Sequence, residues 1–507
     1  IAFLSSAGSF TLRNRLGTGR ATLNIANVSS TTAYAPVINF DLLGHPTDML
    51  VSTLTLSAKT PTTGGNTTAT MSMDTGTFDA TTVMIASRAS NDVATTTGTL
   101  NLGGTLAFNV GAPGMTIGNS TVTTAGGGTV VAAVNVTGTP TLTILGPITL
   151  GASSNANGLV TTSLALNGGT IDVRGNLVKG TGAGSGSVTS TLTLDNASLN
   201  MNGFVIGAAA RPINTFNLRS GTLRNVGEIN GGLGFAKTAG VVSGNNTLIL
   251  EGINSFTGNF TISAGTVQVG TGSTTGTLGA VSVINNAALV INRAGAYSVA
   301  NAISGSGTLT VNGTGAVTLS GNNSYSGATT VSSGLVSLAH ANALGGVGAG
   351  TTVAAGASLE LQGGIAVGAE ALAISGTGNA ANGALRNYFG ANSFGGTVTL
   401  GGATTVQSDA GTLTLGNATA IAAGTSDVTF TGAGNVTVSG AITGTTAGLI
   451  KTGSGTLTLG GNSTFQGSVA VNAGTVSVSG ANGLGANGGV TNVATGASLE
   501  QIGRAHV

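Results

Sequence analysis

Cysteine and tryptophan are absent from this chain of 507 residues. Without cysteine there is no disulfide, no thiolate metal site and no thiol nucleophile. Charge is scarce too: Asp, Glu, Lys and Arg make up 6% of the residues, against about 25% in an ordinary globular chain. The net charge of +1 leaves no electrostatic footprint for nucleic acid and no polybasic patch for a membrane surface. The helix formers Glu, Lys, Gln and Arg are nearly missing. No run of about 18 apolar residues occurs, so no membrane-spanning helix is expected. The chain opens at Ile1 with no Met and no charged-then-apolar leader. An internal fragment is therefore expected, with any targeting sequence outside it. Disorder normally combines low hydrophobicity with high charge. At 40% hydrophobic residues and with so few charges, a folded chain is the expectation.

What the chain has in quantity is glycine, 88 residues, more than twice the usual ~7%. There is no collagen-like glycine at every third position, so the glycines are expected to serve turns. Between them run short alternating segments such as Thr53-Leu54-Thr55-Leu56, Thr141-Leu142-Thr143-Ile144 and Thr191-Leu192-Thr193-Leu194. Apolar residues on one side and hydroxyls on the other are the mark of a half-buried strand. Residues 1–230 show this pattern without a clear motif and are expected to form degenerate coils. The stretch from Ala33 to Pro61 holds three of the seven prolines and is the most irregular.

From about Gly231 a motif recurs: Gly, any residue, Asn or Ser, Ser or Thr, an aromatic, any residue, Gly. Its copies contain Gly252, Asn254, Phe256 and Gly258; Gly321, Asn323, Tyr325 and Gly327; Gly390, Asn392, Phe394 and Gly396; and Gly461, Ser463, Phe465 and Gly467. The aromatics step by 69, 69 and 71 positions. A second strand follows, as in Ala264-Gly265-Thr266-Val267 and Ala473-Gly474-Thr475-Val476, then a Leu-Gly turn at Leu278-Gly279, Leu344-Gly345 and Leu484-Gly485. The copy around Phe394 is degenerate. Residues 231–500 thus read as four repeats of about 69 residues.

Short strands with tight turns could build a sandwich, a barrel or a solenoid. The fixed period favours an all-β solenoid, a single elongated rod, with about three coils of roughly 23 residues per repeat. Stacked at ~4.8 Å, some 22 coils would extend on the order of 100 Å. Leu, Val, Ile and Ala would form inward ladders, and Thr would serve the outer face. The motif aromatic reads as a corner filler; its other reading is an exposed platform for stacking a sugar.

Gly455-Thr456-Leu457-Thr458-Leu459 running into Gly461-Asn462-Ser463-Thr464-Phe465-Gln466-Gly467 resembles the autotransporter-associated β-strand repeat. The lead-in Lys451-Thr452-Gly453-Ser454-Gly455 fits as well, and Lys237-Thr238-Ala239-Gly240 is a looser copy. The resemblance covers about residues 235–500. It implies a right-handed parallel β-helix of pectin-lyase-like shape in a bacterial surface or secreted protein, with extracellular or outer-surface localisation. It implies host or matrix glycans or surfaces as partners, and an outer-membrane barrel or sorting tag outside this stretch. The repeat pattern breaks at Gln501. The tail Ile502-Gly503-Arg504-Ala505-His506-Val507 resembles a translated sequencing-adapter oligonucleotide, so residues 501–507 are expected not to be native protein.

Candidate chemistry is thin. Asp41-Leu42-Leu43-Gly44-His45-Pro46-Thr47-Asp48 could hold a metal or an acid–base pair, but reads as a solvated loop. Asp172 and Arg174 read as a surface ion pair. Glu360 and Glu500 occupy equivalent repeat positions and read as structural. The glycine runs at 182–186 and 345–350 lack the Gly-Lys-Ser/Thr of a phosphate loop, and no calcium-binding nonapeptide occurs. No catalytic, cofactor or metal residues are assigned. The first expectation is a non-enzymatic stalk or scaffold with adhesin-like character. The rivals are a polysaccharide-active lyase or hydrolase, which needs charged groups converging on one coil face, and an ice- or crystal-binding solenoid with regular Thr rows.

Overall fold

The computed structural model describes residues 10–13, 19–29, 35–60, 65–90, 92–122, 128–154, 158–183, 187–241, 244, 246–486 and 489–502. The tail from Gly503, with Arg504 and His506, lies outside the described residues. Among those described there are forty-eight strands and two single-turn 3-10 segments, and no α-helix. The ladders described between these strands are parallel, as in Val37–Asp41 on Thr67–Met73 and Thr456–Leu459 on Thr475–Val478. The chain is a parallel β-solenoid. It divides into two compact units, residues 1–267 with 276–281 and residues 268–275 with 282–507.

In the first unit one ladder climbs through Val37–Asp41, Thr67–Met73, Thr95–Leu102, Thr129–Val136, Leu159–Leu166 and Val188–Leu194. Each strand lies on the next turn of the coil, so a residue meets its counterpart one turn later. Stacked partners are 29 and 34 positions apart at Ser72–Asn101 and Asn101–Asn135. In the second unit they are 20 and 23 apart at Asn322–Asn342 and Ser337–Glu360. Coil length is therefore not uniform at 23.

The alternation in the sequence fixes which side faces in. Thr95–Leu102 and Thr129–Val136 bury every second residue. Met49, Phe78, Phe108, Leu142, Ile171, Leu199, Leu223 and Leu250 form one inward row, each in register with the next. All eight are at most 2% exposed. Phe78 and Phe108 stack with ring centroids 5.0 Å apart and planes 9° from parallel. A parallel ladder forces such offset stacking, because like side chains superpose.

The long strands Thr47–Lys59, Gly76–Arg88 and Ala107–Ser120 turn a corner without leaving the sheet. The corner is one residue per coil in the left-handed region: Ala26, Ser57, Ala86, Gly118 and Gly151, with φ of 53°, 55°, 56°, 81° and 72°. The register skips each of them while the residues on both sides stay paired. For a residue with a Cβ this conformation costs roughly 1–2 kcal/mol. At Gly118 a Cβ would also lie 2.6 Å from Thr162 Cγ2. Gly118→Ala should therefore destabilise the chain by at least about 1–2 kcal/mol, whereas Ala86→Gly should not. Denaturant unfolding of the two variants beside the parent chain checks this.

Candidate functional site

The motif residues take the same stations in all four copies. The aromatic is buried each time: Phe256, Tyr325 and Phe394 at 0% and Phe465 at 1% exposure. In three copies the following Leu-Gly turn closes over it. Gly279, Gly345 and Gly485 have φ of 75°, 80° and 91°. A Cβ there would meet the ring of Phe256 at 2.8 Å, Tyr325 at 3.0 Å and Phe465 at 3.0 Å. The backbone N–H of Gly346 and of Ala486 donates to the carbonyl of Tyr325 and of Phe465.

The motif Asn joins successive coils. The N–H of Val226 donates to Asn254 Oδ1 at 3.0 Å, that of Ile303 to Asn323 Oδ1 at 2.9 Å, and that of Ile365 to Asn392 Oδ1 at 2.7 Å. Ser463 Oγ accepts from Ile442 N at 3.1 Å. On the other side Asn254 Nδ2 donates to Thr277 O and Asn323 Nδ2 to Ala343 O. The closing glycines are needed for close approach rather than for positive φ in most copies. A Cβ on Gly327 or Gly467 would sit 2.3 Å from the carbonyl oxygen of Gly307 or Ala447 on the preceding coil.

The lead-in lysine holds an inward station. Lys237 lies in register between Leu218 and Ile262, and Lys451 between Phe430 and Val471. Both are buried, and their ammonium groups reach turn carbonyls: Lys237 Nζ donates to Thr238 O at 2.9 Å and to Asn246 Oδ1 at 2.7 Å. Burial pushes Lys237 down to about 8, against the pull of Asp195, and lowers Lys451 as well.

Tyr325 alone among the motif aromatics carries a hydroxyl, and a buried chain of polar groups surrounds it. Its OH lies 2.6 Å from Thr329 Oγ1; Thr329 stacks on Thr351, whose Oγ1 donates to Glu370 Oε1 at 2.8 Å. Glu370 is 2% exposed, and its Oε2 has no hydrogen-bond partner among the described residues. Burial raises its pKa, with the Thr351 bond opposing.

The candidate residues from the sequence are placed as follows. Asp41 caps its own turn through Leu43 N, Asp74 receives Gly44 N, and Asp48 pairs with Arg13. The two carboxylates of that loop thus serve different partners. Asp172 accepts from Arg174 at 3.0 Å and from Asn200 and Asn202 at 2.8 Å each. Burial would raise Asp172, but the bonds from Asn202, Arg174 and Asn200 hold it below the usual carboxylate range. Beside this row runs a groove of about 340 Å³ lined by Thr139, Thr170, Asn196, Ser198 and Thr222. Glu360 and Glu500 differ: Glu360 is 5% exposed within a ladder of charges, and Glu500 lies on a strand exposed throughout.

That ladder is the most elaborate charged cluster of the second unit. Glu360, Arg386 and Gln407 are register neighbours on three coils. Arg386 donates to Glu360 Oε2 at 2.7 Å and, through Nε, to Asp409 Oδ2 at 2.9 Å; Gln407 Nε2 donates to Asp409 Oδ1 at 2.6 Å. The Arg386 guanidinium lies 4.8 Å from the Tyr388 ring centroid. Tyr388 and Phe389 are each 46% exposed. Sequence reasoning passed over Arg386, Tyr388 and Phe389. The signal was there: the other copies read Leu250-Glu251, Leu319-Ser320 and Leu459-Gly460 where this one has an aromatic pair.

The passenger-associated-transport repeat matches residues 241–269, 309–338 and 449–478. Over 107 residues the chain is 47% identical to the adhesin BmaC autotransporter of Brucella suis biovar 1 (strain 1330), a match covering 21% of this chain and 3% of that protein. The chain thus matches a small fraction of that relative's length. No solved structure matches it.

Truncating a buried ring leaves a cavity and should cost about 3–5 kcal/mol for Phe256→Ala or Phe465→Ala, while the exposed Phe389→Ala should stay within about 0.5 kcal/mol, as read by denaturant unfolding. Glu370 has a folded pKa above its ordinary value of 4.5. Its contribution is fully present below that pH and is lost as pH rises through the folded value. The melting temperature of the parent chain should therefore fall more between pH 4 and pH 8 than that of Glu370→Gln, by differential scanning calorimetry.

Proposed function

We propose that this chain, which carries the repeats of an autotransporter passenger, is a non-enzymatic scaffold in a bacterial surface-displayed or secreted protein and holds recognition surfaces away from the cell. The observation that carries this reading is the recurrence of one buried motif in one set of coil-to-coil bonds. Asn254, Asn323, Asn392 and Ser463 each tie down the preceding coil. A feature repeated at every third or so coil serves the length of the solenoid, since a catalytic site is needed once. The motif is accordingly proposed to be structural.

The disposition of charge supports the non-enzymatic reading. A polysaccharide-active enzyme needs carboxylates free to give and take a proton. At the best convergence of charge, Arg386 bonds both Glu360 and Asp409. Elsewhere Asp172 pairs with Arg174, Glu251 with Arg224 and Asp79 with Arg20. Proposed partners are host or matrix glycans or surfaces, and the exporting barrel or sorting tag belongs to other parts of the protein.

The test is display. Fused to an outer-membrane barrel, the chain should reach the surface of intact cells as a protease-resistant unit. The purified chain should release no reducing ends from plant, microbial or matrix polysaccharides. Polymer cleavage that disappears in Glu360→Gln or Asp409→Asn would overturn the reading.

A further inference from the structure

We infer that the exposed Tyr388–Phe389 pair, with Asp409 and Gln407 beside it, is a binding site for an uncharged pyranose sugar. The first ground is exposure. This chain has 14 Phe and 4 Tyr, and the motif aromatics are all buried. At Tyr388 the ladder breaks: Leu361 pairs with Asn387 and Gln362 with Phe389, so Tyr388 is an extra residue in a bulge. The sequence-equivalent Leu250, Leu319 and Leu459 of the other copies are 0%, 0% and 1% exposed; in register the row of Leu319 runs through Leu338 and Leu361 to the buried Asn387, and Tyr388 stands outside it. A bulge re-aims a side chain, and here two adjacent aromatic rings are turned to solvent. A ring pair held outward on a rigid sheet costs little conformational entropy to bind against.

The second ground is preorganisation. The rings are 5.5 Å apart and inclined at 73°, and Arg386 steadies Tyr388 from 4.8 Å. Arg386 is itself fixed between Glu360 and Asp409, and its side chain is 16% exposed. A cation held this way serves as a brace. Asp409, 26% exposed against 6% for Glu360, is the more open carboxylate of the cluster; its Oδ1 accepts from Gln407 and its Oδ2 from Arg386. An exposed aromatic pair set edge to face, near a carboxylate and a carboxamide, matches a pyranose, which offers an apolar C–H face and hydroxyl donors at its edge. Bonds from sugar hydroxyls to a carboxylate are of the charge-assisted kind.

The third ground sets the ligand's charge. Glu360, Arg386 and Asp409 carry two negative charges against one positive. A uronate or sialic acid would meet a net negative cluster, so the site selects neutral sugars. The copy that bears it is also the one that the passenger-associated-transport repeat does not match, between 309–338 and 449–478. Recognition sits where the repeat is broken. Display at a surface gives the site a target, but binding itself does not depend on that reading.

The experiment is saturation-transfer NMR and calorimetric titration of the full chain with methyl glucoside, galactoside and mannoside, their neutral oligosaccharides, glucuronic acid and N-acetylneuraminic acid. Binding is expected for at least one neutral pyranose and for neither acid. Tyr388→Ala with Phe389→Ala should weaken it by about tenfold or more, and Asp409→Asn should weaken it further than it shifts the melting temperature. Tyrosine emission should respond to the ligand in the parent chain and not in Tyr388→Phe. No binding by any neutral sugar, equal or tighter binding of the acids, or undiminished binding by a folded double variant would each overturn the inference. Surface display and the lack of polymer cleavage are read separately, so failure here leaves the scaffold reading standing.

Discussion

The hydrogen bond between one coil and the next is the constraint on which everything else in this protein depends. It sets a spacing of ~4.8 Å between equivalent backbone positions, and it leaves no freedom over what each side chain touches. A residue sits on its own counterpart one coil earlier. Apolar stations become rows, as from Met49 to Leu250, and the rows close because Leu, Ile and Phe tolerate stacking on their like. Polar stations must be complementary instead. Asn135 donates to Asn101, which donates to Ser72, so an amide that is both donor and acceptor can extend a row indefinitely. A carboxylate cannot, and Glu360 is followed by Arg386 rather than another acid. The scarcity of charge in the sequence fits this: a charge in a row needs an opposite charge on the next coil, as Glu360 has, or polar groups of a nearby turn, as Lys237 has.

The same spacing explains the glycines. Where the chain leaves a strand, its backbone presses on the carbonyl of the coil before it. At Gly396 a Cβ would lie 1.7 Å from Glu370 O, and at Gly461 it would lie 2.1 Å from Gly440 O. Such positions accept no side chain, whatever their φ. Conversely, Ala26 and Ala86 bear a Cβ at left-handed corners where only φ is demanding. Glycine content therefore reports how closely the coils approach at turns, more than how many left-handed residues the fold contains.

The period-2 pattern made the strands legible, because Thr456-Leu457-Thr458-Leu459 can bury only its leucines; the strand does so. Parallel stacking was legible from the step between Phe256, Tyr325 and Phe394. Three things were not. Lys237 and Lys451 point inward, which composition argues against; nearby turn carbonyls make it tolerable, joined at Lys237 by Asn246 Oδ1 and the charge of Asp195. The coil length varies, because loops at corners can lengthen without disturbing the ladder. The bulge at Tyr388 depends on a register shift against Gln362 that no local pattern encodes. The expected roles of Glu360 and Glu500 were inferred from equal spacing, yet a side chain's surroundings here come from the adjacent coil. Glu360 has Arg386 over it.

This gives a rule for where recognition can arise in such a chain. A station repeated along the solenoid is governed by its neighbours above and below, and changing it disturbs two interfaces. The motif Asn shows the limit: its Oδ1 and Nδ2 are both committed, as at Asn323 to Ile303 N and Ala343 O. Its substitution by Ser463 keeps the acceptor toward Ile442. Where the ladder is interrupted, a side chain is released from its row. Tyr388 and Phe389 are released in that way, and Arg386 remains in the row and braces them. In a solenoid of this composition, a break in the repeat that exposes large apolar side chains runs against the solubility that Thr and Ser otherwise secure.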